Sequence, residues 1–123
     1  MNDQAIEQEI QTKGLTAPRV TPADVEASIA SEHYFVGGDG IYGNAHKNGD
    51  GSVQSFPDSL DRLTFCVLVL RNGFTVTGES ACASPENFNA EIGRKIARQH
   101  AVDKVWPLLG FELRSKLANG DLK

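Results

Sequence analysis

The sequence predicts an α+β fold: a small antiparallel sheet with one long C-terminal helix packed across it and a short N-terminal helix at its edge. Three observations carry this prediction. Residues 63–80, LTFCVLVL-RNGF-TVTGES, read as two strands joined by a tight turn. Residues 84–105, SPENFNAEIGRKIARQHAVDKV, place apolar side chains at helical spacing and run into Trp106-Pro107. Upstream, Thr21-Pro22 supplies an N-cap and an N1 proline, with Asp24 in the first turn where a negative charge suits the helix dipole.

Residues 1–19 are polar, weakly periodic and end in Ala17-Pro18-Arg19, so they are expected to form a flexible N-terminal arm, with residues 20–123 as a single domain. The short helix is expected from Pro22 to Ser31, with Val25 and Ile29 on one face, and His33 to Val36 as a brief strand. Residues 37–61 hold most of the glycines and are polar. They read as a long exposed loop with room for a small hairpin at Asn48-Gly49 or Asp50-Gly51. Asp39-Gly40 and the run Asn48 to Gly51 lack the closing glutamate of a calcium loop and are read as turns.

Asn72-Gly73 is the pair favoured by a two-residue type I′ turn, because both central residues then need positive φ. That register sets Val69 opposite Val76, Leu70 opposite Thr75 and Cys66 opposite Glu79. Phe65, Val67 and Val69 point one way and Cys66, Leu68 and Leu70 the other, so the strand is apolar on both faces and wants cover on both. The main helix is expected to start at Ser84 as N-cap, with Pro85 at N1 and Glu86 in the first turn. Phe88, Ile92, Ile96, Val102 and Trp106 form an apolar stripe. Ala90, Gly93, Ala97 and Ala101 form a flatter face that lets another backbone approach. Pro107 is expected to end the helix, leaving Phe111 to Leu117 as a short final strand or helical turn.

At 123 residues and 40% hydrophobic content the chain suits one modest core. A formal charge of -4 argues against a protein that tracks polymeric nucleic acid. The N-terminal residues lack a basic start and apolar run, and no stretch approaches membrane-spanning length, so a cytosolic protein without membrane contact is expected. Cys66 and Cys82 are then expected as free thiols. His33, His46 and His100 are scattered, no C-x-x-C pair occurs, and no nucleophile elbow surrounds Ser80 or Ser84. No metal, cofactor or catalytic activity is expected.

The residues that stand out are cationic, aromatic and amide. Arg94 and Arg98 lie one helical turn apart, a repulsive spacing unless something negative intervenes. Either Glu91 serves them within a solvated face, or their guanidinium forks hold a phosphate or diphosphate. Arg71, beside the hairpin turn, is placed to reach such a ligand from a neighbouring subunit. Phe74 follows the turn glycine, where an aromatic either packs on a neighbouring element or stacks on a nucleobase. Asn87 either helps cap the main helix or reads a ligand edge.

The runs RNGFTVTGESAC, SPENFNAEIGRKIAR and AVDKVWPL, in this order over about half of the chain, resemble the phage and prophage small-protein family named after phages N4 and Sf6. The sponge that blocks Thoeris immunity is similar to that family. The resemblance implies a protein of the infected bacterial cytoplasm that binds cyclic ADP-ribose-type signals, and in some members cyclic oligonucleotides, without cleaving them. It implies a homo-oligomer, a dimer or trimer of dimers, with pockets between subunits. Carried over to this sequence, it implies Phe74 for stacking, Asn87 for a polar contact, and Arg94, Arg98 and Arg71 for phosphates. The stretch from Gly37 to Asp61 departs from the shorter family pattern. A phage accessory protein that inhibits a host protein by direct contact is the alternative.

Overall fold

A computed structural model describes residues 3–47 and 55–121. Its centre is β2 (Leu63–Leu70), flanked antiparallel by β1 (Ile29–Val36) and β3 (Thr75–Ala81) in the order β1-β2-β3. Three helices precede or follow these strands on the N-terminal side: α1 (Asp3–Thr12), α2 (Pro22–Ser28) and α3 (Gly37–Lys47). The last element, α4 (Ala90–Ala118), runs 29 residues across the sheet. The predicted α+β architecture, with a long C-terminal helix on a small antiparallel sheet and a short N-terminal helix, is the one observed.

The hairpin differs from its expected form by one residue. Leu70 and Phe74 close it, with Leu70 N–H donating to Phe74 O at 2.8 Å and Gly73 N–H to Leu70 O at 2.8 Å. The loop is therefore Arg71-Asn72-Gly73, and only Gly73 has positive φ, at 89°. A type I′ turn would need it at Asn72 too. Asn72 instead keeps negative φ and accepts the Phe74 N–H on its side-chain oxygen at 2.9 Å. Leu68 pairs with Val76 and Cys66 with Gly78. Thr64, Cys66, Leu68 and Leu70 are thereby buried on one face with Val76 and Gly78.

Against that face lies α4, and the side it presents is the small-residue one. Gly93, Ala97, Ala101, Val102 and Val105 are buried, whereas Ile92 and Ile96 are 55% and 42% exposed. The small-residue face admits another backbone as expected, whereas the apolar stripe is only partly used: Val102 is buried and Trp106 packs on the core, but Ile92 and Ile96 stay exposed. The cause is the close approach of helix and sheet: a Cβ at Gly78 would stand 2.1 Å from Ala97 O and 2.4 Å from Ala101 N. Only small side chains fit where backbones meet, so the larger isoleucines hang past the β3 edge. Leu68, Val25, Val105 and Cys66 fill the centre of the core, each large aliphatic contributing about 1.5–3 kcal/mol through burial.

The start of α4 also differs. Pro85–Asn87 is a single 3-10 turn, Ser84 makes no side-chain cap, and Asn89 is the N-cap of α4, accepting Ile92 N–H at 3.0 Å. Pro107 does not end the helix, which continues to Ala118. Beyond the proline, Leu109 still packs on the core, and that burial offsets the lost backbone bond. Termination comes at Gly120, φ 75°, where Gly120 N–H reaches Leu117 O and Asp121 N–H reaches Lys116 O in a Schellman motif.

Upstream, Thr21 is the N-cap and Pro22 opens α2 as expected, and Asp24, expected only as a first-turn charge, closes a reciprocal capping box with Thr21. Here α2 stops at Ser28 and the chain enters β1 at once, earlier than expected. Residues 37–61, expected as a glycine-rich loop, hold α3 and a 3-10 helix at Asp58–Arg62. Poor helix propensity is overridden by packing of α3 on the 3-10 helix, where Gly38 is buried against the side-chain ends of Asp61 and Phe56. Asp39, expected in a turn, lies in the first turn of α3 and accepts Val36 N–H at 2.9 Å. The hairpin expected at Asn48-Gly49 or Asp50-Gly51 falls outside the described residues. The flexible arm expected over 1–19 contains α1, tied down by a bidentate pair between Arg19 and Glu7.

Candidate functional site

Arg98 projects from the β1-facing flank of α4 into two carboxylates. Its Nη1 and Nη2 donate to Glu26 at 3.2 and 2.8 Å, and its Nε and Nη2 donate to Glu32 at 3.3 Å. Glu32 in turn accepts the Tyr34 hydroxyl at 2.7 Å. This network stitches α4 to α2 and β1. The Tyr34 hydrogen bond is the main cause that lowers the Glu32 pKa, and the Arg98 charge adds to it. Burial pushes the Tyr34 hydroxyl up, with its bond to Glu32 second. The fork toward Glu26 raises Arg98 further above its ordinary range. One guanidinium facing two carboxylates leaves a net negative cluster.

One turn earlier, Arg94 is exposed and has no ion pair among the described residues. Glu91, its expected partner, pairs instead with Lys95 at 3.4 Å. So the two arginines share a flank but not a condition: Arg98 is matched by acids, and Arg94 is open to an anion.

Arg71 and Phe74 lie together at the hairpin tip. Arg71 donates its backbone N–H to Ser28 O at 2.9 Å and its Nε to Ala27 O. It thereby caps the C-terminal carbonyls of α2, where a positive charge also suits the dipole. Phe74 is 55% exposed. Asn87 sits at the opposite end of β3. Seven residues of strand separate Phe74 from Ala81, about 23 Å at the usual rise. One small molecule therefore cannot touch Phe74 and Asn87 of the same chain.

Around Asn87 the chain forms a cavity of about 110 Å³ that includes Arg62, Ser80, Cys82, Asn87, Asn89 and Ile92. Arg62 was not singled out in the sequence, where it is one arginine between Asp61 and a strand. Its Nε is buried without a hydrogen-bond partner, a condition that costs about 1–3 kcal/mol. Its nearness to Asn87 depends on β2 pairing with β3, which no local spacing announces.

A larger cavity, about 630 Å³, lies between α1, α2 and α4, bordered by Gln4, Pro22, Glu26, Arg98 and Trp106. On the far side of the sheet, Ser31, His33 and Phe35 of β1 line up with Val69, Val67 and Phe65 of β2 and Thr75, Thr77 and Glu79 of β3. Phe35 and Phe65 stack with centroids 5.3 Å apart, and Phe35 is 39% exposed. This face, apolar along β2 and polar along β3, is the one α4 does not cover. Among the described residues no group of three or more His, Cys, Asp or Glu is placed to hold a metal, and no helix is long and apolar enough to cross a membrane.

A three-stranded antiparallel sheet with a single long helix across one face defines a small α+β protein. The chain belongs to the phage protein (N4 Gp49/phage Sf6 gene 66) family, whose model matches residues 20–117. No curated protein and no solved structure matches it.

Proposed function

We infer that the protein is a non-catalytic sponge of the infected bacterial cytoplasm that binds and sequesters cyclic ADP-ribose-type immune signals, and cyclic oligonucleotide signals with them, in pockets shared between subunits. The observation that carries this reading is the separation of Phe74 from Asn87 along the full length of β3, which leaves an aromatic and an amide to be joined only by a second copy. The partly exposed face of Phe35, Phe65, Val67 and Val69 offers a contact for that copy. Phe74 then stacks on a base, Asn87 reads a polar edge, and Arg94 meets a phosphate. Arg98 and Arg71, held by carboxylates and carbonyls, act as the frame from which a phosphate is approached.

Titration with a panel of cyclic ADP-ribose isomers and cyclic trinucleotides, read by calorimetry and by mass spectrometry of the released ligand, tests the reading. Binding with the ligand returned intact is expected, together with a thermal shift equivalent to about 2.7 kcal/mol at a hundredfold excess over Kd. Silence across the panel, or return of a cleaved ligand, overturns it. Val67→Glu, on the open face, is expected to shift the protein to monomer in sedimentation and to abolish ligand binding with it.

A second reading, inhibition of a host protein by direct contact, is favoured by one observation. Phe111 is 76% exposed on the part of α4 that follows Pro107, with Leu108 37% exposed nearby. On this reading Phe111→Ala removes a stoichiometric host partner from pull-downs while the ligand panel stays silent.

A further inference from the structure

We propose that Arg62, with Ser80, Asn87 and Asn89, forms a seat for a compact oxyanion of the phosphate class. The seat rests on the sponge reading only for the identity of the larger molecule that carries the phosphate.

Three arginines of the described chain are partly buried, and their surroundings differ in one respect. Arg19 meets Glu7, and Arg98 meets Glu26 and Glu32. Arg62 has neither an ion pair nor a hydrogen bond among the described residues, and its Nε is closed off from solvent. A buried guanidinium N–H without an acceptor is unfavourable, and an anion seated against it relieves that cost. No carboxylate borders its cavity.

What borders it instead is a set of donors. Asn89 spends its side-chain oxygen on Ile92 N–H at 3.0 Å, which turns its amide NH₂ outward from the helix start. Asn87 and Ser80 add a second amide and a hydroxyl on the same cavity. A planar fork with neighbouring N–H and O–H donors matches tetrahedral oxygens. Ile92 and Phe88 supply apolar walls, and low polarity around charge-assisted bonds strengthens them. The volume, about 110 Å³, lies far below the roughly 300–1,000 Å³ of pockets that enclose whole drug-sized ligands. It admits a phosphate and leaves any attached nucleoside outside.

The probes are inorganic phosphate, AMP and adenosine, followed through the side-chain amide signals of Asn87 and Asn89 and the Arg62 Nε–H signal by NMR. Phosphate and AMP are expected to shift these signals in the millimolar range or below, and adenosine to leave them unmoved. Arg62→Gln is expected to weaken phosphate at least tenfold. Asn87→Ala, at an exposed position that tolerates truncation, is expected to weaken it severalfold, and Lys104→Gln, which removes an equal charge elsewhere on α4, to leave it unchanged. Absence of any phosphate-induced shift, or equal loss in Lys104→Gln, overturns the seat. If phosphate binds but the cyclic signals do not, the seat stands and the sponge reading falls; if the cyclic signals bind the parent while phosphate binds Arg62→Gln as well as the parent, the seat falls and the sponge reading stands.

Discussion

Gly78 lies directly under Ala97, so close that a Cβ on the glycine would come within 2.1 Å of the Ala97 carbonyl oxygen. The strand and the helix meet there backbone to backbone. This contact sets how α4 lies on the sheet and which of its faces turns outward. Gly78→Ala must push the helix away or distort β3, and overpacking of this kind costs about 1–3 kcal/mol or more. A lowered urea midpoint with unchanged slope is expected for Gly78→Ala. A midpoint equal to that of the parent would mean that helix and sheet do not meet as described.

Much of the architecture was legible because it depends on neighbours in sequence. The N-cap at Thr21 with Pro22 at N1, the hairpin at residues 63–80 and the long helix are local signals. What could not be read was set by contacts between distant residues. That Ile92 and Ile96 stay exposed while the small face meets the sheet depends on Gly78, and the glycine-rich stretch takes up helix where it packs on the distant 3-10 helix at Asp58–Arg62. The register slipped by one because Asn72-Gly73 is compatible with two turn geometries, and only the three-residue loop places Val76 beside Leu68 in the core. At the candidate site the types of residue were legible, but the difference between a matched Arg98 and an unmatched Arg62 arises from strands and helices meeting.

The Arg98 network makes stability depend on acid. Glu32 has a lower pKa in the fold than when unfolded, owing first to Tyr34 and then to Arg98. Its contribution is therefore complete above the ordinary glutamate value of about 4.3 and fades as the pH falls through the lower, folded value. Arg98→Gln is expected to cost about 1–2 kcal/mol at neutral pH, toward the low end because the Glu26 and Glu32 side chains are 56% and 40% exposed. It should also flatten the acid limb of the stability profile. Denaturant melts at neutral pH and near pH 3 check both effects, and a variant that keeps the full acid dependence would show that Arg98 does not govern Glu32.

Trp106 is the only tryptophan, and it borders a cavity of about 260 Å³ together with Ile6, Ile10 and Val20. α1 fully buries no residue of its own, and the pair between Glu7 and Arg19 ties it near the indole. Arg19, with help from Gln11, draws the Glu7 carboxyl down to about 2. The clasp is thus intact above the ordinary carboxylate range and lost only as the pH falls toward that low value. Glu7→Gln is expected to red-shift Trp106 emission and to reduce the far-ultraviolet helical signal at neutral pH without lowering the urea midpoint of the body. High salt should produce a partial version of the same shift in the parent. Unchanged emission in Glu7→Gln would mean that α1 stays seated without its clasp.

The two free thiols report on opening of the core. Cys66, on the face of β2 that α4 covers, is fully buried, and burial raises its pKa, so both access and thiolate fraction are low. Cys82 is half-buried just beyond β3, its Sγ donating to Ser84 O at 3.1 Å. A thiol reagent should therefore label one cysteine promptly and the other only when the helix lifts from the sheet. If Cys66 exchanges through that opening, Gly78→Ala should accelerate its labelling by about tenfold for every 1.4 kcal/mol lost, and leave Cys82 unaffected. Mass spectrometry of partially labelled protein separates the two sites. Labelling of Cys66 at the Cys82 rate, or a Gly78→Ala effect confined to Cys82, would place the opening elsewhere than at the contact between Gly78 and Ala97.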